Sequence, residues 1–373
     1  MKKDNLIFIH RLIKAFADSI IIVFIPLYIL KQTNDINLAM LYLITYSLFV
    51  IFLMFILKKF IQKYGVIAIM LHFIPIIIGE AILSFVPISI ISIICVSFFL
   101  ALNQALYSIP LNLIFTFGDK NKNVGKFQIA TNIGKLIFTL ISGIILSSEI
   151  KNSFLILSIT SAIFYIFCVF PLFFAYKELK DKYNCVKNNS KNFTNKINPW
   201  FTIFHISFGL FQPIMDNIVP LFLYINNLSF QAVTYMIVLV EFLKIVINYI
   251  SQRLVIHKLE KLCVTIGFLV FMVSLVGMVT IKNSIILYIL CCTCSISFPL
   301  TFVPMFKIYC NYLCENNMEF HGITVRDFDI FSLRGALYGV SFLPIGIVSC
   351  FVVGFLAVPV MFISELKILS KKR

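Results

Sequence analysis

The sequence is poor in charge. Asp, Glu, Lys and Arg make up only 13% of its 373 residues, about half the ~25% of a soluble domain, which excludes a water-soluble fold. Acidic residues are the scarcer sign, 16 against 31 basic ones, and there are only 14 Gly and a single Trp. No Gly-x-x-x-x-Gly-Lys-Ser/Thr loop occurs, so ATP hydrolysis by this chain is excluded. What the sequence has instead is apolar length: 60% of residues are hydrophobic, 41 of them Phe, and the mean hydropathy is +0.99. At about 20 apolar residues per crossing, the chain has room for roughly twelve transmembrane helices and none for a separate catalytic domain. Neither an enzyme activity nor a cofactor is expected.

Apolar runs bounded by charges predict helices near 12–30, 38–57, 66–87, 88–117, 127–146, 153–176, 200–225, 230–251, 262–281, 284–313, 328–345 and 346–369. On these bounds the termini and alternate loops hold 23 basic residues, and the opposite loops only Lys31, Lys151 and Lys282. The positive-inside rule then predicts cytoplasmic termini, a cytoplasmic 177–199 loop, and an integral protein of the plasma (inner) membrane. The net charge of +15 is explained by this placement, and no nucleic-acid partner is expected. The last two crossings are separated by hardly any loop, with Pro344 and Gly346 marking the turn.

An internal repeat runs through the chain. Ile25-Pro26-Leu27-Tyr28-Ile29 in helix 1 returns as Val219-Pro220-Leu221-Phe222-Leu223 in helix 7, 194 residues on; Pro110 in helix 4 and Pro304 in helix 10 share that offset. Helix 5 carries Gly134-Lys135 where helix 11 carries Leu333-Arg334-Gly335, at an offset of 199 or 200. The predicted fold is an all-α membrane protein of twelve transmembrane helices in two pseudo-symmetric six-helix bundles. The first spans 1–176, a cytoplasmic linker 177–199, and the second 200–373. Two halves of even helix number share one orientation, so their axis lies along the membrane normal.

With this 6+6 plan, its longest hydrophilic loop in the middle, and the basic loop Lys58-Lys59-Phe60-Ile61-Gln62-Lys63-Tyr64-Gly65 between helices 2 and 3, the sequence resembles the major facilitator superfamily. That loop is similar to the family's Gly-x-Leu-x-Asp-Arg-x-Gly-Arg-Arg motif: Gln62 stands at the Asp, Lys63 at the Arg and Gly65 at the glycine, while the opening Gly and closing Arg pair are absent. The resemblance implies that helices 1, 4, 7 and 10 line a central cavity flanked by helices 2, 5, 8 and 11. Helix 5 lacks the Gly-rich, Pro-containing pattern of the family's drug/proton antiporters, which counts against that activity.

Charges inside membrane helices cost about 2.5–3.5 kcal/mol each on insertion scales, so each needs a partner, water or a function. Lys14 with Asp18 and Glu241 with Lys244 are spaced to share a helix face. Glu80, Lys135, Asp216 and Arg334 have no such neighbour. Lys135 and Arg334 occupy equivalent positions in the two halves and are the candidate clamp for an anionic solute, Arg334 through its bidentate fork and Lys135 as a point charge; the alternative is that they pair with Asp18, Glu241 or Asp216 as structural glue. Asn103, Tyr107 and Asn112 form a polar run on helix 4 and are further solute-binding candidates. Asp18, Asp216, Glu241 and Glu80, in that order, are the candidate proton-coupling acids, because separating an acid from its base changes its proton affinity.

The remaining polar residues read as structural. The ten cysteines have no His at ligand spacing, and no metal site is expected. The five His form no cluster in sequence, and Gly335 and Gly339 predict close helix packing. The reading reached is a secondary active transporter that moves a small polar or anionic solute by alternating access, possible symport or antiport with protons included, acting as a monomer with membrane lipid around it. The alternatives are a lipid or amphiphile carrier of the same fold, with charges only at the cavity rim, and a non-transporting receptor or assembly protein.

Overall fold

A computed structural model describes residues 3–117, 124–148, 150, 152–189, 197–281, 283–343 and 346–370; among them every regular element is a helix. Lys151, Lys191, Lys282, Pro344 and the C-terminal Lys371 to Arg373, which entered the reading of topology, lie outside the described residues. Nine described helices are long and apolar enough to cross a membrane on length and composition alone. The other three crossings have evident reasons for missing that mark. The run Ile36–Leu71 holds helix 2 and the first turns of helix 3, joined at Tyr64, where the backbone leaves the helical region at φ −126°, ψ 33°; Phe73–Phe85 completes helix 3. In helix 5 (Val124–Ser147) the described apolar stretch Asn132–Ser147 is short. Helix 11 (Glu319–Val340) carries Arg326, Asp327, Asp329 and Arg334.

The rest are helix 1 (Lys3–Ile21, continued by Ile25–Thr33), helix 4 (Ile90–Phe117), helix 6 (Ser153–Asn189), helix 7 (Pro199–Pro213, continued by Val219–Ile225), helix 8 (Phe230–Ile256), helix 9 (Glu260–Thr280), helix 10 (Ser284–Glu315) and helix 12 (Val348–Ser370). Asp35, Asn198, Ser229 and Asn283 cap the starts of helices 2, 7, 8 and 10 by accepting bonds from free backbone amides. With glycine scarce, Asn34, Asn152, Asn227 and Asn317 take the left-handed turns between helices, a conformation Asn tolerates better than most residues. An even number of crossings puts both termini on one side, here called the termini face; the opposite side is the far face.

Helices 1–6 pack mainly on one another, as do helices 7–12. The two bundles meet where helix 5 lies on helix 8 and helix 2 on helix 11. Phe55, Ile91, Phe173 and Phe174 are among many large apolar side chains left exposed on the outer surface, which suits a surface bathed in acyl chains.

Three helices depart most from the sequence expectation. Helix 1 begins at Lys3, nine residues before the expected Leu12. Helix 6 runs to Asn189 rather than ending near Tyr176, because Leu179, Tyr183 and Val186 keep helical spacing and stay buried. The Tyr183 ring covers Gly65 at the helix 2–3 junction, and its hydroxyl donates to the Ile61 carbonyl at 2.6 Å. Helix 11 begins at Glu319, nine residues before the expected Phe328. Two of the charges that suggested a loop there find partners inside the bundle: Asp327 accepts from Ser108 at 2.6 Å, and the Arg326 guanidinium stacks on Phe306 at 4.6 Å. The expected tight packing at Gly335 and Gly339 is also corrected. A Cβ at Gly335 would meet Ser47 and Leu48 at ordinary contact distance, and one at Gly339 would meet nothing.

Candidate functional site

Proline sets the site's geometry. Pro26 and Pro220 lack the amide that would bond four residues back, so helices 1 and 7 both break just before them: helix 1 through a 3₁₀ turn at Ile22–Phe24, helix 7 through a wider π turn at Ile214–Ile218. The 194-residue repeat is thus visible as a repeated break. Asp216 lies within the π turn of helix 7. Between the two bundles is a cavity of about 410 Å³, within the usual range for small-molecule sites.

Its charged lining consists of Lys14, Lys135, Lys244, Arg326 and Arg334 against Asp18, Asp216, Glu241 and Asp327, an excess of one cation. On the first bundle Lys14 binds both Asp18 oxygens at 2.8 and 2.7 Å, Tyr165 donates to Asp18 at 2.6 Å, and the Lys14 ammonium sits 4.4 Å over the Tyr107 ring. On the second bundle Lys244 pairs with Glu241 at 3.0 Å and with Asp216 at 3.2 Å. Gln212 donates to Asp216 at 3.1 Å and accepts from Arg334. At the repeat offset Gln212 is the counterpart of Asp18, so one half holds an acid where the other holds an amide.

Lys14 and Lys244 are therefore neutralised by carboxylates, whereas Lys135 and Arg334 have none within 4 Å among the described ion pairs. Arg334 leaves its Nε buried without a hydrogen-bond partner and rests 4.5 Å over Phe331. Lys135 lines the cavity from the other bundle and acts electrostatically on Asp216. Of the helix 4 candidates, Asn103 reaches the lining and donates to the His72 carbonyl at 2.8 Å. Tyr107 and Asn112 lie outside it. Tyr107 is packed in the first bundle beneath Lys14, with its hydroxyl 3.2 Å from His10 Nε2, and Asn112 reaches toward Ser108. Glu80 also lies away from the cavity, 1% exposed, accepting from Ser161 at 2.9 Å.

Several contacts were beyond the sequence. The spacing rule paired Lys244 with Glu241 but gave no sign of Asp216, which arrives from another helix. His10 and His72 come to 6.0 Å between ring centroids, with Tyr107 against both, correcting the expectation of unclustered histidines. Tyr165 carried no signal, having only apolar neighbours in sequence. The cavity lies between two layers of cross-bundle contact: Phe24 on Phe230 at 5.8 Å toward the far face, and Ser108 with Asp327 toward the termini face.

The sequence matches the Major Facilitator Superfamily over residues 7–320, well over half of the chain. The chain belongs to the Major Facilitator Superfamily. The fold agrees. A crystal structure of a bacterial homologue of the iron transporter ferroportin in an outward-facing state aligns with a TM-score of 0.70 at 12% identity, covering 99% of this chain and 100% of that one; the same homologue with soaked iron gives 0.69. A POT family transporter in complex with a thioalcohol-conjugated peptide aligns at 0.64 and 14% identity, over 98% of this chain and 96% of its own. At these identities the likeness is one of fold. No curated protein matches the sequence. Membership in this superfamily makes the chain an integral membrane transporter and points away from an enzyme.

Proposed function

We propose that this superfamily member is a secondary active transporter for a small polar or anionic solute, working by alternating access about the cavity. The observation that carries this reading is the pair Lys135 and Arg334, one from each bundle, facing one polar cavity without a carboxylate partner among the described ion pairs. An anion held between them would take the unpaired Arg334 Nε and draw the bundles together. The first bundle, which takes in helix 6 as far as Asn189, and the second, from Pro199 onward, then move as bodies, opening the Phe24–Phe230 layer or the Ser108–Asp327 layer in turn. Coupling would use the carboxylates that share Lys14 and Lys244: Asp18, Asp216 and Glu241 change their hold on a proton when motion separates them from the ammonium. Glu80 has no cavity contact and ranks last. Both termini are cytoplasmic on this reading, in the plasma (inner) membrane, and a monomer suffices.

The structural neighbours are described as an iron transporter homologue and a peptide-bound transporter, yet a cavity with surplus positive charge disfavours a bare metal cation. An amphiphile carrier with charges only at its rim is disfavoured by charges within the lining. The test is uptake of a panel of labelled carboxylates, phosphates, neutral polar solutes and ferrous iron into proteoliposomes, repeated with Arg334→Gln and Lys135→Gln. Uptake of an anion that both variants lose supports the clamp; selective uptake of iron or of neutral solutes, or normal anion uptake by both variants, rejects it.

A further inference from the structure

The contact between helices 5 and 8 joins the two bundles, and its packing is unusual for a membrane interior. Gly143 of helix 5 lies directly against Thr234 of helix 8, which fixes the register of this antiparallel pair. Residues seven apart share a helix face to within about 20°. On helix 8, Glu241 and Asn248 follow Thr234 at intervals of seven, with Gln252 one turn beyond; on helix 5, Thr139 lies one turn before Gly143 and Asn132 seven residues before that. Where coiled helices place apolar side chains, this seam places polar ones. Asn132 and Asn248 are each 1% exposed and Thr139 is 0% exposed.

These groups do not satisfy one another. Asn132 Nδ2, Thr139 Oγ1, Glu241 Oε2, both polar atoms of Asn248, and Gln252 Nε2 are all buried without a hydrogen-bond partner. Native proteins rarely leave buried polar atoms unpaired, and clustered ones are normally met by water. The levels agree: Asn132 is about 16 Å from Gly143 and Asn248 about 21 Å from Thr234, both toward the termini face, so they lie within one helical turn of each other. Outside the seam the side chains turn apolar, with Leu136, Ile137, Leu140 and Phe242 lining a lipid-side groove.

We propose that the seam between helices 5 and 8 holds a file of water molecules that links Glu241 at the cavity to the termini face and conducts protons along it. Glu241 is about 10 Å from Asn248 along the helix, a span for about three waters at hydrogen-bond spacing. Gln252 lies about 6 Å before the end of helix 8. A proton passes by breaking one O–H bond of a water as the next forms, and it ends on Glu241 Oε2. The amides orient the waters and do not exchange protons themselves. Glu241 faces Lys244 on its own helix, Asp216 of helix 7 through that ammonium, Lys135 of helix 5 across the cavity, and from helix 10 the Phe298 ring beside Lys244. The file supplies a proton to the acid without either bundle layer opening. The use of that proton for coupling rests on the proposed function; the file does not.

Two measurements on the full-length protein in liposomes test it. In Asn248→Cys, brief exposure to silver ion, which is small enough to follow water, should protect position 248 from alkylation after denaturation, read peptide by peptide by mass spectrometry, while Phe242→Cys on the lipid side stays unprotected. Asn248→Leu should lower the melting temperature, because displacing the waters strands Asn132 and Gln252; a dry seam predicts a rise, since an unpaired amide is removed. Failure of silver to protect position 248, or a higher melting temperature for Asn248→Leu, overturns the proposal. Neither measurement uses a solute, so either can fail while the transport reading stands.

Discussion

At the scale of single residues the site is an arrangement of charge whose members depend on one another. Lys244 holds two carboxylates from different helices, so removing it strands the buried Glu241 and unpairs Asp216, whose side chain is 35% exposed, whereas removing one acid leaves a pair. Lys244→Met should therefore destabilise the protein by about 3–5 kcal/mol, seen as a large drop in the thermal melt in detergent. Adding Asp216→Asn and Glu241→Gln should recover most of that loss; a triple variant no more stable than the single one would show that the ion pairs do not set the site's stability. Arg334→Lys keeps the charge but loses the planar fork that serves Gln212 and leaves Nε free, and it should weaken solute affinity about tenfold or more, the size of one charge-assisted hydrogen bond. The five candidate charges inside helices 1, 5, 7, 8 and 11 could be picked from the sequence because charge in a membrane is costly. Partners on the same helix, Lys14 for Asp18 and Lys244 for Glu241, could be read from spacing as well; partners on other helices could not, because Asp216 meets Lys244, and Tyr165 meets Asp18, only through packing between helices.

At the scale of elements, the two broken helices explain why the repeat matters. A proline at the same place in helices 1 and 7 frees carbonyls at the level of the cavity, and helix 7 widens its break enough to turn Asp216 toward Lys244. Pro220→Ala should let the π turn close into α-helix and draw Asp216 away, lowering transport while leaving the protein at least as stable in the melt; unchanged transport would detach the break from function. A second element acts at the termini face. Gly65 at the helix 2–3 junction lies under the Tyr183 ring from the extension of helix 6, so Gly65→Ala should cost about 1–3 kcal/mol by overpacking, and Tyr183→Ala should relieve much of that cost in the double variant. A simple sum of the two effects in the melt would mean the residues do not touch. The Gly65 of the loop motif was legible in sequence, and the helix 6 extension that explains it was not: the spacing of Leu179, Tyr183 and Val186 was present, but the surrounding Lys and Asp residues outweighed it in a hydropathy reading.

At the scale of the whole molecule, topology and closure are the testable features. Cys185 and Cys314 are exposed native thiols near the termini face, on helix 6 and at the end of helix 10. With the termini cytoplasmic, an impermeant thiol reagent should label both in inside-out vesicles and neither in intact cells; labelling in intact cells would reverse the orientation. The Ser108–Asp327 bond is a polar link between the bundles at that face. Ser108→Ala should lengthen the distance between spin labels placed on helices 4 and 11 near the termini face, with no change at the far face. Equal distances in both proteins would show that the bond does not bias closure.

The sequence by itself determined the membrane class, the twelve crossings, the twofold repeat and the charges worth attention, because each follows from the cost of polar groups in hydrocarbon, which acts residue by residue along the chain. Tertiary structure alone decided which charges are neutralised, that Lys135 and Arg334 share a cavity with no ion pair of their own among the described residues, that His10 and His72 converge on Tyr107, and that Asn132 and Asn248 face one seam. Those facts depend on the rotation and register of neighbouring helices. In a chain where nearly every helix is apolar all round, little in the local sequence says which face will meet which neighbour.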